Sequence, residues 1–237
     1  MDGVLTEISL QGLVIAFLPV AVVIGIMLRW SAGARTAIYA TFRMLVQLLL
    51  IGYVLVYIFD SDQPVFIVVV LAVMLTVASW IAIRPLQKKT AQTYLNSLGA
   101  ISVGGILTLA LVSQLVLSVE PWFSPRYLVP LAGMIFAGSM NSVSLAAERL
   151  QSEYERGTPY LNARRIALQA ALIPITNSLF AVGLVALPGM MTGQILSGIS
   201  PMVAAKYQIV VMTMLFGASG ISAALYLVLA NKTIKDR

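Results

Sequence analysis

The chain has 237 residues, of which 59% are hydrophobic and 10% charged, with a formal net charge of +6 and no cysteine or histidine. A soluble domain of ordinary composition carries about 25% charge, so this chain is too apolar for a water-soluble enzyme and too apolar for disorder. The missing residue types exclude disulfides, thiolate chemistry and Cys/His metal sites, and they remove imidazole as an acid–base group. What remains is an all-α polytopic integral membrane helix bundle. The apolar runs are continuous, not alternating with period two, which argues against a β-barrel. At about 20 residues per crossing, about seven helices use ~140 residues. Residues 1–237 therefore read as a single transmembrane domain with no room for a separate soluble one.

The apolar segments in chain order are 8–28, 39–59, 65–83, 97–117, 128–147, 165–187 and 203–230. Each is long enough to cross about 30 Å of hydrocarbon at 1.5 Å per residue. The first is expected to be a membrane helix and not a signal peptide. Asp2 and Glu7 are the only charges before it, and its run exceeds the usual h-region of about 7–15 residues.

Charge orients the segments. Arg29, Arg35 and Arg43 follow or open the first connection, and Arg84, Lys88 and Lys89 follow the third segment. Arg149, Arg156, Arg164 and Arg165 lie between the fifth and sixth, and Lys232, Lys235 and Arg237 end the chain. The alternate loops hold Asp60 and Asp62, then Glu120 with Arg126, then an uncharged stretch after residue 187. The positive-inside rule then puts the N-terminus outside and the C-terminus in the cytoplasm. No basic run is interleaved with aromatics, so nucleic acid is not an expected partner. Trp30, Trp80 and Trp122 fall at segment ends and read as interfacial anchors.

The longest polar segment is Glu148–Arg165. Its first part has good helix formers, with Glu148/Ser152 and Arg149/Glu153 at i,i+4 spacing. Gly157, Thr158 and Pro159 break that helix, and Thr158 is the expected N-cap of the next. The segment is either an ordinary solvated loop or a docking element for a cytoplasmic partner.

Two segments carry polar groups at depth. The fifth has Ser139, Asn141, Ser142 and Ser144; the sixth has Thr176, Asn177 and Ser178 directly after Pro174. Pro174 lies about nine residues past Arg165, roughly 13 Å along a helix, where a kink or break is expected. Polar side chains in hydrocarbon face the bundle interior. They serve helix–helix hydrogen bonding or line a substrate path. Small residues at four-residue spacing, Ala100/Gly104, Gly133/Ala137, Gly138/Ser142 and Ala218/Ser222, permit close helix packing.

The stretch from Pro188 and Gly189 to Pro201 is apolar, uncharged and punctuated by Gly and Pro. A re-entrant or membrane-surface segment fits it. Met190 and Met191 fill packing gaps or offer thioethers to a metal. No G-x-x-x-x-G-K-[ST] occurs, so the chain binds no ATP by a P-loop. No Asp, Glu or His lies at mid-membrane, which argues against a proton-driven carrier. A transporter driven by another protein, a sodium-coupled carrier and a structural membrane subunit remain.

The run Val182-Gly183-Leu184-Val185-Ala186-Leu187-Pro188-Gly189-Met190-Met191-Thr192-Gly193 resembles the signature of the FetB-like permeases. That family includes bacterial iron-export ABC permeases and plant proteins of aluminium tolerance. The resemblance continues in Arg43, Gln47-Leu48, Gly52-Tyr53, Pro130-Leu131-Ala132-Gly133-Met134, Ser200-Pro201 and Lys206-Tyr207-Gln208-Ile209. It implies an inner-membrane ABC permease subunit, itself not an enzyme. It would be a homodimer paired with a cytoplasmic ATPase that holds ATP and Mg, and would export a metal ion, iron foremost, or a small solute. On this reading Arg149, Glu153, Glu155, Arg156, Gly157 and Pro159 form the coupling loop at 148–165. Asn141, Ser142, Thr176, Asn177, Ser178 and Met190 line the path, with hinges at Pro174, Pro188 and Gly189. The chain itself holds no cofactor, and its metal ligands are unassigned. A stand-alone secondary carrier or channel is the alternative; a non-transporting assembly subunit is a third.

Overall fold

The computed structural model describes residues 8–59 and 63–235. Asp2, Glu7, Asp60, Asp62 and Arg237, which enter the charge pattern, lie outside the described residues. The described residues are helical throughout, with short connections, and divide into two compact units between residues 60 and 61.

The first unit holds α1 (Leu10–Ala16), α2 (Leu18–Arg29) and α3 (Ala34–Phe59). The expected first segment is thus interrupted. Pro19 has no N–H to offer the carbonyl one turn back, and the chain steps over at Phe17, whose carbonyl accepts from Ala21 N at 3.0 Å. Helix α3 begins before residue 39, so Arg43 lies in its third turn and not at its edge. With the Gln47 amide turned so that its oxygen faces Arg43, that oxygen accepts from Arg43 Nε at 3.1 Å and Nη2 at 3.2 Å. The guanidinium is met by a side chain one turn on.

The second unit holds α4 (Pro64–Ala82), α5 (Ala91–Ala110), α6 (Pro125–Glu155), α7 (Tyr160–Ala181), α8 (Gly189–Leu196) and α9 (Pro201–Lys235). Helix α5 opens on a reciprocal cap: Thr93 N donates to Thr90 Oγ1 at 3.2 Å, and Thr90 N to Thr93 Oγ1 at 3.0 Å. It closes on a π turn over Leu111–Val116.

Helices α5, α6 and α9 form the centre, and small residues set their spacing. A Cβ on Gly105 would lie 2.9 Å from the Phe136 ring of α6. Ala100, Ala132, Ala146, Ala218 and Ala223 are buried in the same core. In lipid there is no hydrophobic gain between helices, so close backbone approach and hydrogen bonds hold them. Ser97 Oγ donates to the Ser79 carbonyl at 3.1 Å, joining α5 to α4. Asn96 Nδ2 donates to the Leu229 carbonyl at 3.4 Å, joining α5 to α9.

Among the described residues, six helical stretches are long and apolar enough to cross a membrane: Leu10–Arg29, Ala34–Phe59, Pro64–Ala82, Ala91–Val116, Pro125–Glu155 and Pro201–Asn231. The chain is a polytopic membrane helix bundle. The expected segment at 165–187 falls on α7, which starts at Tyr160 and runs through Pro174 without a break. After Ala181 the chain turns at Gly183, whose φ of +82° suits a residue without a Cβ. The expected separate helix at 148–156 is the end of α6, because nothing between Ala146 and Glu155 stops a helix. Gly157, at φ +83°, supplies the stop. The stretch after Pro188 forms α8.

Candidate functional site

Helices α6, α7 and α9 line a cavity of about 310 Å³ that opens outward, with Asn141, Leu145, Pro174 and Ser178 exposed. Met134, Gly138, Asn141, Ser142 and Leu145 line it from α6, at the three- and four-residue steps that share one helical face. Ala171, Pro174, Ile175 and Ser178 line it from α7, and Leu215 and Ser219 from α9. Its polar groups are neutral amide and hydroxyl groups. Ser178 Oγ donates to the Pro174 carbonyl at 3.0 Å. Ser219 Oγ is buried without a hydrogen-bond partner, as are the neighbouring Ser139 and Ser222 hydroxyls. Such groups cost free energy in an apolar interior unless something meets them. Gly138 lets Ser219 approach: a Cβ there would lie 3.2 Å from its hydroxyl.

Of the residues the sequence assigns to a path, Asn141, Ser142 and Ser178 meet here beside Pro174. Thr176 and Asn177 do not line this cavity. Successive residues turn by about 100° on a helix, so three in a row cannot share one face. Sequence reasoning missed Ser219 and Met134 as liners, and marked Gly138 only for close packing through its spacing to Ser142. The Ala218/Ser222 spacing had marked α9 for close packing, yet it singled out the residues flanking Ser219.

A second cavity, of about 410 Å³, lies at the end of the unit where α6 and α9 begin. Arg126, Tyr127, Pro130, Leu131 and Met134 line it from α6, Met190 and Gln194 from α8, and Tyr207 from α9. Met134 therefore lines both cavities. Arg126 is the one charged liner of the pair, and no carboxylate lines either. Among the described residues there is no group of three or more His, Cys, Asp or Glu that could hold a metal. The ligands on offer are neutral oxygens and the thioethers of Met134 and Met190. Pro188 caps the N-terminus of α8, and Gly189 opens it.

At the opposite end, α6 and α7 join in a tight turn. Glu153, nearly buried, pairs with Arg149 at 2.7 Å and Arg156 at 3.6 Å. Its other oxygen accepts from Thr158 Oγ1 at 3.1 Å. Thr158 thus reaches back to α6, and Pro159 stands at the N-cap of α7 without a side-chain cap. Gln151 Nε2 donates to Glu155 Oε1 at 2.7 Å, whereas no Glu148–Ser152 bond forms. Tyr160 opens α7 and donates its hydroxyl to the Leu227 carbonyl of α9. Burial pushes this phenol above its ordinary pKa, and the Arg164 guanidinium partly opposes the shift.

UPF0014, described as an uncharacterised protein family, matches residues 10–234. The chain is 38% identical to "UPF0014 membrane protein slr1647" of Synechocystis over 78% of each chain. It is 34% identical to "UPF0014 membrane protein YjkA" of Bacillus subtilis over 86% of this chain and 87% of that one. It is 35% identical to "Probable iron export permease protein FetB" of Escherichia coli over 81% of this chain and 75% of that one. No solved structure matches. A multi-pass bundle of this length, matched almost end to end, is a member of the UPF0014 family of membrane proteins.

Proposed function

We propose that the chain is the membrane-spanning permease subunit of an ABC transporter in the plasma membrane, exporting a metal ion, iron foremost, or a small solute. The observation that carries this reading is the pair of cavities sharing Met134, which together are lined by α6 from Arg126 to Leu145 and by α9 from Tyr207 to Ser219. The likeness to a protein named as an iron export permease supports the direction and the cargo. Helix α7 would be a seventh crossing, with the N-terminus outside and the Arg-rich α6–α7 turn in the cytoplasm.

The chemistry of the path follows from its lining. A cation entering the first cavity meets Asn141, Ser142, Ser178 and Ser219, neutral ligands that hold weakly and release readily. The thioethers of Met134 and Met190 continue the path to the second cavity, and there Arg126 repels a bare cation and speeds its exit. With no carboxylate in the lining, there is no proton-exchanging group to drive the cycle. The energy would come from ATP and Mg in a cytoplasmic ATPase. That partner would press on Arg149, Glu153, Glu155, Arg156, Gly157 and Pro159, with Pro174, Pro188 and Gly189 absorbing the motion and a second copy of the chain completing the assembly.

The test is a pull-down followed by transport. The tagged chain should co-purify with an ABC ATPase, and replacing that partner's Walker lysine should stop iron efflux. Efflux that persists without an ATPase would establish the stand-alone carrier instead.

A further inference from the structure

A groove of about 400 Å³ runs between α7 and α9, beside the Tyr160–Leu227 contact. Leu161 and Leu168 line it from α7, and Ala224, Leu227 and Val228 from α9. Leu161 and Val228 are more than half exposed, so the groove opens outward from the second unit. Its charges are Arg164 and Arg165, and no acid lines it. Two acids before the α6–α7 turn are engaged elsewhere: Glu153 holds Arg149 and Arg156, and Glu155 accepts from Gln151. Neither Arg164 nor Arg165 has an ion-pair partner among the described residues. The hydroxyl of Tyr160 is committed to Leu227.

The depth of the pair is also informative. Arg164 and Arg165 stand four to five residues into α7, roughly 6–8 Å along its axis. On the crossing proposed above for α7, a guanidinium this near the helix start reaches the polar boundary of the membrane while its stem stays on apolar surface. Two planar forks there match the oxygens of a phosphodiester. The apolar lining beyond them matches an acyl chain and gives a free phosphate nothing to hold. Two positive charges with no ion-pair partner among the described residues also disfavour a headgroup that carries its own ammonium.

We propose that this groove binds one anionic phospholipid, with its phosphodiester on Arg164 and Arg165 and an acyl chain along Leu161, Leu168 and Val228. The lipid bridges α7 and α9, adding to the Tyr160 bond at the same end. This site does not depend on what the two cavities carry.

The experiment is a native mass spectrometric titration of the full chain, purified in detergent, with phosphatidylglycerol, phosphatidylcholine or inorganic phosphate. Phosphatidylglycerol should bind, and the Arg164→Gln/Arg165→Gln double variant should lose about thirtyfold in affinity. Lys89→Gln, outside the groove, should match the parent chain. Ala224→Phe keeps both guanidiniums and closes the groove, and it too should lose the lipid; it carries the test if the charge variant does not fold. Phosphatidylcholine and inorganic phosphate should bind neither the parent nor the variants. Unchanged phosphatidylglycerol affinity in both groove variants, equal binding of phosphatidylcholine, or saturation by phosphate alone would each overturn the assignment.

Discussion

Gly104 of α5 lies against Ser222 of α9 so closely that a Cβ at 104 would come within 2.9 Å of the Ser222 backbone nitrogen. Two small-residue stripes, Ala100/Gly104 and Ala218/Ser222, meet at this crossing. The neighbour is backbone and cannot rotate away. Gly104→Ala should therefore destabilise the bundle by about 1–3 kcal/mol, read as a lower midpoint of thermal unfolding in detergent. Gly217 of α9, where an added Cβ would meet nothing within 4 Å, is the control. Ala there should be neutral or stabilising by up to about 1 kcal/mol.

Tyr160→Phe removes the hydroxyl that ties α7 to Leu227 and should lower stability by about 1 kcal/mol. The pH dependence has a definite sign. Burial raises the phenol's pKa in the folded chain, so the unfolded phenol ionises first, near pH 10. The contribution is complete below about pH 10 and is lost as the pH rises past it. Unfolding midpoints measured from pH 8 to 11 should fall more steeply for the parent than for Tyr160→Phe.

Glu153 holds the α6–α7 turn through Arg149, Arg156 and Thr158. Glu153→Ala leaves three donors without their acceptor. It should cost about 1.5–3 kcal/mol and, on the proposed function, should reduce the ATPase retained in a pull-down. Glu155→Ala, which loses only an exposed bond to Gln151, should leave stability within about 0.5 kcal/mol.

Asn141 lines the α6–α7–α9 cavity and Asn177 does not. Asn141→Leu should reduce transport at least about tenfold, since it replaces a neutral ligand with an apolar one in the cavity lining. Asn177→Leu should leave transport near the parent rate. Efflux assays on cells carrying each variant compare the two. Equal losses would place the path elsewhere on α7.

Much of this was legible because hydrocarbon imposes simple demands. Continuous apolar runs marked the helices, and buried small residues marked the close crossings. Three features were not legible for physical reasons. Pro19 and Pro174 look alike in sequence, yet α1 and α2 part near the first while α7 runs through the second. The helix formers after Ala146 mark a helix as far as Gly157 but not that it continues α6, because solvated and membrane helix share one backbone pattern. The cavity lining needed helical phase: Thr176, Asn177 and Ser178 are neighbours in sequence, but only Ser178 shares the cavity with Ser219, a residue about forty positions away in the chain.

The most direct test of the proposed function is iron flux in liposomes holding the chain with the ATPase that co-purifies with it. ATP should drive iron across the bilayer, and flux should vanish with a hydrolysis-dead ATPase and fall sharply with Asn141→Leu. Iron movement that proceeds equally without ATP, or a coupled ATPase that moves no iron and no other solute, would contradict the account.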